Sequence, residues 1–289
     1  MLKIILIIFG VFLAAMVVFI AISGYSFSKK VEEEINELTK DVSETPAKIF
    51  AYDNLEGLPE LVQRYLKYSL SDEQEHIRFV RLKQTGEFRM KANQDWKPIE
   101  AEQYFTTENP AFVWQAKLKL APFMWVGTRD MYYRGKRSML IKLFSAITVV
   151  DVTGKELDVS SLLRFLSEAP WFPTALLPSN YLEWIEIDSN LARAVISDHG
   201  YTASAVFTFN DQGEIIKLVT NDRYREVDGE YFKEQWTTYY RNYQEVNGVK
   251  IPTEEEAEWN LPDGNFTYGK FKVEIISYKP LGQRITRRC

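Results

Sequence analysis

The sequence predicts an α+β fold in which a long, curved antiparallel sheet forms a partial barrel with a few covering helices, preceded by one N-terminal transmembrane helix. Three observations predict it: an unbroken apolar run near the N-terminus, a change in hydrophobic period from about 3.6 to about 2 residues after position 77, and repeated hairpin turns. Of the 289 residues, 46% are apolar and 26% charged, which excludes a disordered chain and indicates one large globular domain or two small ones.

The apolar run extends from Ile4 to Ile22 and is bounded by lysines on both sides. As a helix it would be roughly 28 Å long at about 1.5 Å per residue, close to the hydrocarbon thickness of about 30 Å. We therefore expect residues 1–24 to anchor the protein in the cell membrane as a single-pass protein, with the large domain outside the cytoplasm. A cleavable signal peptide is the alternative, although its apolar core is usually only about 7–15 residues long.

Residues 25–57 are predicted to be an amphipathic helix that continues from the membrane, or a stalk. The apolar residues here recur at spacings of three and four, which is the period of a helix with one buried face: Val31, Ile35, Leu38 and Val42. Pro46 would end this helix. A second helix is expected from Pro59 to Leu70, because proline suits the first helical position.

Residues 58–279 are predicted to be the antiparallel α+β domain, with one meandering sheet over most of residues 77–279. Apolar and polar residues alternate in several segments, as in Phe112, Trp114, Ala116, Leu118 and Leu120. Asp228-Gly229 and Asn247-Gly248 suit type I′ hairpins, because these residues tolerate positive φ. A helix from Asp158 to Ala169, capped by Ser160 or Asp158, is expected to interrupt the strands. Residues 280–289 are predicted to be a basic, disordered tail.

The composition excludes several classes of function. The net charge of −5 argues against nucleic-acid binding, which needs a basic face. The single cysteine, Cys289, cannot form a disulfide within the chain, and His76 and His199 have no second ligand at metal spacing, so no metal site is expected. The sequence contains no phosphate-binding loop, dinucleotide fingerprint or G-x-S-x-G elbow, and we expect no cofactor. It indicates neither a particular protein partner nor an oligomeric state.

The most unusual segment is the proline-rich segment, residues 168–178, with the sequence EAPWFPTALLP. Its prolines prevent regular helix or sheet, and its apolar side chains are costly to leave in water, so it must be buried against another part of the protein. One interpretation is a rim that closes a hydrophobic cavity, formed by Glu168, Trp171, Phe172, Leu176 and Leu177, with Trp114, Trp125 and Trp236 within. The other is that these side chains only fill the core.

Several motifs carry a resemblance to a known family. The run PWFPTALLP preceded by Glu-Ala, the segment 224–229 (YREVDG) and the segment 259–264 (WNLPDG) resemble a family of uncharacterised bacterial membrane-associated proteins, a domain of unknown function. This resemblance covers nearly the whole soluble part and implies no activity. The C-terminal part of the predicted domain is similar to the half-barrels of LolA-like lipoprotein carriers. There a strand leads to residues 247–252 (NGVKIP) and then to two more strands. This resemblance implies a concave apolar face that could shelter acyl chains.

Three functional hypotheses follow. The first is a membrane-anchored domain that binds a hydrophobic or amphipathic ligand, such as a lipid, under the proline-rich segment. The second is a structural or interaction domain with a solid core and no ligand. The third is a hydrolase that uses Glu168, the single weak catalytic candidate, with another carboxylate within about 10 Å. Arg223 and Arg225 could bind an anionic head group or pair with acidic neighbours.

Overall fold

The computed structural model of the protein describes residues 1–43 and 48–278. The helices are α1 (Leu2–Ser43), α2 (Glu60–Ser69) and α3 (Lys155–Glu168), with short 3-10 helices at Tyr52–Leu55, Ala169–Trp171 and Pro173–Leu176. The strands are β1 (Phe79–Phe88), β2 (Lys97–Thr106), β3 (Ala111–Ala121), β4 (Met124–Tyr133), β5 (Lys136–Leu143), β6 (Ile147–Val152), β7 (Leu182–Glu186), β8 (Leu191–Asp198), β9 (Tyr201–Phe209), β10 (Ile215–Thr220), β11 (Tyr224–Val227), β12 (Glu230–Lys233), β13 (Gln235–Val246), β14 (Val249–Leu261) and β15 (Gly264–Ser277).

One 13-stranded sheet dominates the fold, with the strand order β6-β5-β4-β3-β2-β1-β15-β14-β13-β10-β9-β8-β7. Neighbouring strands are antiparallel throughout, and the hairpin β11–β12 pairs separately. Because β6 and β7 remain as edges, the sheet is curved but not closed. This confirms the predicted α+β fold with a long curved antiparallel sheet.

The two halves of the sheet meet where the first strand pairs with the last. β1 forms a ladder with β15 that places Leu82 opposite Ile276 and Gly86 opposite Phe271. Hairpin turns connect the other neighbouring strands, except that β13 pairs with β10 across the separate β11–β12 hairpin. The two predicted type I′ turns have the required backbone: φ is 53° at Asp228 and 54° at Asn247, each followed by a glycine with positive φ.

Helix α1 covers one face of the sheet, which we call the outer face. It is continuous from the apolar run to Ser43, and its second half lies against the sheet instead of forming a free stalk. Its buried residues, at the spacing predicted from the sequence, contact residues of β1, β2, β3 and β5: Phe27, Val31, Ile35, Leu38 and Val42 against Phe79, Tyr104, Ala111, Val113 and Leu140. The Arg129 guanidinium of β4 lies 3.1 Å from the Glu34 carboxylate on α1.

The opposite, inner face of the sheet holds the main hydrophobic core. Helices α2 and α3 and the proline-rich segment pack against it. The folded unit also begins earlier than predicted, because Phe50 and Leu55 within the predicted stalk region are fully buried in this core. The structure describes neither residues 44–47, which include Pro46, nor the predicted basic tail 280–289.

Helix α3 begins at Lys155, three residues before the predicted start, so the predicted caps lie inside the helix. Gly154 precedes it with no side-chain cap. The Asp158 carboxylate instead accepts hydrogen bonds from the Arg137 backbone N–H at 2.7 Å and the Tyr201 hydroxyl at 2.9 Å. Asp158 therefore connects α3 to the sheet and does not cap the helix.

Candidate functional site

The proline-rich segment is buried against the inner face, as its composition predicts. Trp171 is 1% exposed, and Phe172 and Leu176 are fully buried. The Phe172 ring lies 4.6 Å from the ring of Phe105 on β2 and 5.5 Å from that of Phe165 on α3. These residues, with Leu177, fill one end of the inner face, which we call the packed end.

The backbone of this segment forms two short 3-10 helices, Ala169–Trp171 and Pro173–Leu176, and two of its carbonyls accept hydrogen bonds from side chains of other segments. The Tyr278 hydroxyl donates to the Trp171 carbonyl at 2.8 Å, and the Trp184 indole N–H donates to the Leu176 carbonyl at 2.8 Å. The Thr174 hydroxyl accepts the Ile77 N–H at 3.0 Å. Side chains from distant strands thus replace the hydrogen bonds that proline removes, as a buried backbone requires.

Beside the packed end lies a cluster of buried charged and polar side chains, which we call the polar centre. Its first part is an ion-pair chain centred on α3: Arg164 contacts Glu168 at 3.0 Å and Asp130 at 3.0 Å, and Asp130 also contacts Arg137 at 2.9 Å. The Gln103 side-chain amide donates to the second Glu168 oxygen at 2.8 Å. These contacts connect α3 to β2, β4 and β5.

Strand register explains why these side chains meet. Gln103 on β2 is paired directly with Trp114 on β3, and Trp114 with Asp130 on β4, so the three lie in one row across the inner face. The Arg164 guanidinium lies over the Trp114 ring, 4.9 Å from its centroid. On α3, Arg164 and Glu168 are four residues apart and project from the same side of the helix.

The second part of the polar centre comes from the other half of the sheet. The Arg223 guanidinium lies 4.0 Å from the centroid of the Trp236 ring and 5.8 Å from that of Trp259. Glu255, on β14, is 6% exposed and interacts electrostatically with Glu168, Arg164 and Arg223. Glu168 and Glu255 therefore face a common region between α3 and the sheet.

Burial sets the protonation of the carboxyl groups here. Burial raises the pKa of Glu168 above its ordinary value, and its contacts with Arg164 and Gln103 only partly oppose this. Burial and repulsion from Glu168 raise the pKa of Glu255 well above its ordinary value. Burial acts in the same direction on Asp130, but the two adjacent arginines outweigh it and lower the pKa of that carboxyl.

Several buried polar atoms of the polar centre have no hydrogen-bond partner among the residues the structure describes. They are the Gln103 side-chain oxygen, the Trp114 indole nitrogen and the Arg223 Nη1 atom. The Arg223 side chain as a whole is partly exposed, but this nitrogen is buried, and within residues 1–43 and 48–278 no carboxylate forms an ion pair with it. Unpaired buried donors and acceptors are costly, so each of these atoms would be stabilised by a hydrogen bond to a water molecule or a ligand.

An apolar strip continues from the polar centre along the inner face. The strand registers pair Ala101 with Ala116, Ile99 with Leu118, and Leu118 with Val126. Leu120 and Phe88 extend the same surface. From Trp114 to Leu120 the strip is about 20 Å long, at about 3.3 Å per residue.

The structure brings some of the predicted site residues together and separates others. Glu168, Trp114 and Trp236 lie in the polar centre, whereas Trp171, Phe172, Leu176 and Leu177 belong to the packed end. Trp125 lies on the outer face near Lys117 and Ser145, away from both.

Four residues of the polar centre were not predicted from the sequence as site residues: Gln103, Arg137, Arg164 and Glu255. The run Glu254-Glu255-Glu256 reads as a solvated surface segment, but the strand period of 2 turns Glu255 inward while Glu254 is exposed. That alternation was the available signal for Glu255. Arg164 is four residues before Glu168 on a predicted helix, which was the signal for their pairing.

Two surface pockets lie away from this region. The larger, about 430 Å³, is lined by residues of the β1–β2 and β3–β4 hairpins, including Trp96 and Trp125. The smaller, about 270 Å³, lies between the end of α1 at Val42 and the turn around Asn109.

Residues 48–271 match the model of a family of unknown function, DUF6544, and the chain therefore belongs to that family. This confirms the resemblance to an uncharacterised family. A search of curated proteins found no match.

Among solved structures, the chain is similar to a Vibrio parahaemolyticus domain provisionally assigned to outer membrane lipoprotein sorting (8% identity, 78% of this chain and 93% of that chain, TM-score 0.43). It is also similar to a LolA superfamily protein from Nitrosomonas europaea (11% identity, 76% and 93%, TM-score 0.41). A third similar structure is a DUF1329 family protein from Desulfovibrio piger (10% identity, 81% and 93%, TM-score 0.45).

Proposed function

We propose that this protein is a single-pass membrane protein whose extracytoplasmic domain binds an amphipathic molecule with an anionic group, with a lipid as the ligand class. The anionic group binds in the polar centre, and the apolar part lies along the apolar strip. The proline-rich segment forms the wall at the packed end. The observation that carries the proposal is the Arg223 guanidinium, which lies over the Trp236 ring next to the ring of Trp259 and whose buried Nη1 atom has no hydrogen-bond partner in the described parts of the chain.

The chemistry around Arg223 favours an anion. An arginine has five N–H donors, and stacking on Trp236 fixes the guanidinium plane while leaving its edge free to donate. The Trp114 indole N–H adds a second unpaired donor. Burial and the nearby charges of Arg164 and Arg137 lower the pKa of Arg223, and a bound carboxylate or phosphate would act in the opposite direction.

The apolar strip supports an acyl or similar hydrocarbon group. It adjoins the polar centre on the inner face and consists of buried apolar side chains, including Ala101 and Ala116. The anchor supports access to lipid: residues 4–22, apart from the half-buried Ile20, are exposed in the structure, and α1 is apolar and long enough to cross a bilayer.

The test is ligand binding by the full-length protein purified in detergent. Mass spectrometry of its lipid extract should find a co-purified anionic amphiphile, and the delipidated protein should bind a fluorescent fatty acid saturably. Arg223→Leu should weaken that binding, while Arg193→Leu, which removes an exposed arginine from β8, should leave it unchanged. The absence of both a co-purified lipid and saturable binding would exclude the proposal. Trp171→Ala should also weaken binding, but it removes core packing as well, so Arg223 gives the clearer result.

A second candidate function is a carboxylate-based hydrolase, and a specific observation favours it. Glu168 and Glu255 are both buried and interact with each other, and each has a raised pKa, as a general acid requires. Assays of the full chain against glycoside and ester substrates test it, with Glu255→Gln abolishing turnover and Glu254→Gln retaining it. If no substrate class is turned over, the ligand-binding proposal stands without catalysis.

A further inference from the structure

We propose that one edge of the sheet is a membrane-docking surface that inserts into the lipid interface beside α1. This inference rests on one part of the proposed function, that residues 4–22 stay in the membrane, and is independent of ligand binding. We call this surface the hairpin edge. It comprises the turns β1–β2 (residues 89–96), β3–β4 (122–123), β5–β6 (144–146) and β14–β15 (262–263), together with the ends of their strands.

Topology brings these turns to one edge. In the order β6-β5-β4-β3-β2-β1-β15-β14 the strands are antiparallel neighbours, so alternate connections fall on the same side. The Arg89 side chain joins two of these hairpins, because its Nε donates to the Thr267 carbonyl at 2.7 Å. The connections β2–β3 and β4–β5 lie at the opposite edge.

Helix α1 leaves the domain at the hairpin edge. Its residue Val42 accepts a hydrogen bond from Arg78 next to the start of β1, at the opposite edge. Further toward the N-terminus, Glu34 meets Arg129, and Phe27 lies beside Gly127 of β4 and beneath Lys142 of β5. The helix therefore crosses the outer face toward the hairpin edge and continues past it into the apolar run.

Distances along α1 and β4 place the tips of the hairpins at the level of the C-terminal end of the apolar run, residue Ile22. From Phe27 to Ile22 the helix rises about 8 Å at about 1.5 Å per residue. From Gly127 to Phe123 the chain advances about 13 Å at about 3.3 Å per residue. Phe123 thus reaches at least as far as the end of the apolar run, where the hydrocarbon of a bilayer would begin.

The exposed side chains at this edge are those of a membrane interface. Phe123 is 95% exposed at a φ of 64°, a backbone conformation in which asparagine or glycine is favoured, so neither packing nor the turn explains an aromatic residue there. Further exposed apolar side chains lie at the same edge of the sheet: Met90, Met124, Ile147 and Val149. Tryptophans at the hydrocarbon boundary are typical of membrane proteins, and Trp96 and Trp125 line the pocket at this edge.

Cationic side chains at the hairpin edge lie at the level expected for lipid headgroups. The protein carries a net charge of −5, but the turns and the adjoining five residues of each strand are neutral overall, with six basic side chains (Arg89, Lys91, Lys97, Lys117, Lys119 and Lys142) and six acidic ones (Glu87, Asp95, Glu100, Asp151, Glu258 and Asp263). Lys117 lies over the Trp125 ring at 4.5 Å, a pairing of cation and aromatic ring at the expected headgroup level. The apolar strip of the inner face ends at the same edge, so docking would open the strip toward lipid.

The experiment measures how deeply labelled positions enter a bilayer. The full chain with Cys289→Ser is reconstituted in vesicles containing phosphatidylcholine and phosphatidylglycerol, and an environment-sensitive fluorophore is attached at Phe123→Cys. The matched control carries the label at Asn109→Cys, an exposed turn residue at the opposite edge near Val42. Both positions are exposed turns, so both variants should fold.

We expect label emission at position 123 to shift to shorter wavelength and to be quenched by lipids brominated near the headgroup, with neither effect at position 109. Equal, water-like emission at both positions would overturn the proposal. Carbonate extraction of the same vesicles identifies a different failure: release of the protein would show that α1 does not anchor the chain, and both the anchor and the docking surface would be rejected. Loss of fatty-acid binding with retained quenching at position 123 would reject only the ligand-binding proposal.

Discussion

The packed end and the polar centre lie side by side on the inner face, yet they are built in opposite ways. At the packed end, Trp171, Phe172 and Phe105 are fully or almost fully buried among apolar neighbours. The polar centre instead places charged side chains, such as Arg164, Glu168 and Arg223, on the same inner face. Three buried polar atoms there have no hydrogen-bond partner among the described residues: Gln103 Oε1, Trp114 Nε1 and Arg223 Nη1.

This difference indicates where stability and function reside. Each apolar side chain buried in a core stabilises the folded state, whereas a buried charge without a partner destabilises it. Such a charge is therefore expected where the function of the protein requires it. We therefore expect substitutions at the packed end to affect unfolding, and substitutions at Arg223 to affect binding.

The largest expected effect is at the packed end. Phe172→Ala should lower the free energy of unfolding by about 3–5 kcal/mol, because it leaves a cavity between Phe105 and Phe165. Urea unfolding monitored by circular dichroism would measure it. Phe232→Ala, at a side chain that is 45% exposed, is the control and should change stability by less than about 0.5 kcal/mol. Comparable losses in both variants would contradict the contrast between the packed end and an exposed hairpin.

The next effect separates binding from stability. Arg223→Leu should weaken fatty-acid binding at least about tenfold, as expected for one lost hydrogen bond to a charged group, while changing the free energy of unfolding by only about 1 kcal/mol. Fluorescence titration and urea unfolding of the same preparation would test both values. A large loss of stability with unchanged affinity would make Arg223 a core residue and remove the proposed anion site.

The pH dependence of stability tests the buried carboxyl groups. Because the pKa of Glu255 is raised above the unfolded value of 4.5, the folded state retains a proton that the unfolded state has lost, and stability should fall as pH rises above about 4.5. The slope is at most about 1.4 kcal/mol per pH unit for one group, and it ends at the folded-state pKa.

Glu255→Gln removes this titration and should reduce the slope between pH 5 and pH 8 without abolishing it, because burial also raises the pKa of Glu168. Glu254→Gln, at an exposed position, should leave the slope unchanged. Denaturant titrations at several pH values would give the slopes. Parallel profiles for all three proteins would show that Glu255 ionises normally in the fold.

The last comparison lies on the outer face. Glu34→Gln should lower the free energy of unfolding by about 1–2 kcal/mol, because it leaves the buried Arg129 guanidinium without a carboxylate while Arg129 keeps its hydrogen bond to the Ser138 carbonyl at 2.6 Å. Leu38→Ala on the same helix should cost about 2–5 kcal/mol through lost packing. A larger loss for Glu34→Gln than for Leu38→Ala would mean that the ion pair, and not apolar contact, holds α1 on the sheet.

Local sequence patterns were sufficient to predict the helices and strands, because each of these elements depends on residues that are close together in the chain. The helical spacing of Val31, Ile35, Leu38 and Val42 predicted one buried helix face, and the period of 2 with Asp-Gly and Asn-Gly turns predicted antiparallel hairpins. Neither pattern carries information about the pairing of β1 with β15, because that contact joins residues far apart in the chain.

By itself, the sequence determined the apolar helix, the alternating strands, the turns and the burial of the proline-rich segment, because hydrophobic period and backbone preference act over a few residues. Only the tertiary structure decided that Arg164, Arg223, Glu168 and Glu255 converge, and that Trp125 lies on the opposite face from Trp114. Those outcomes depend on strand register and on the curvature of the sheet, which place side chains from distant segments within a few ångströms of one another.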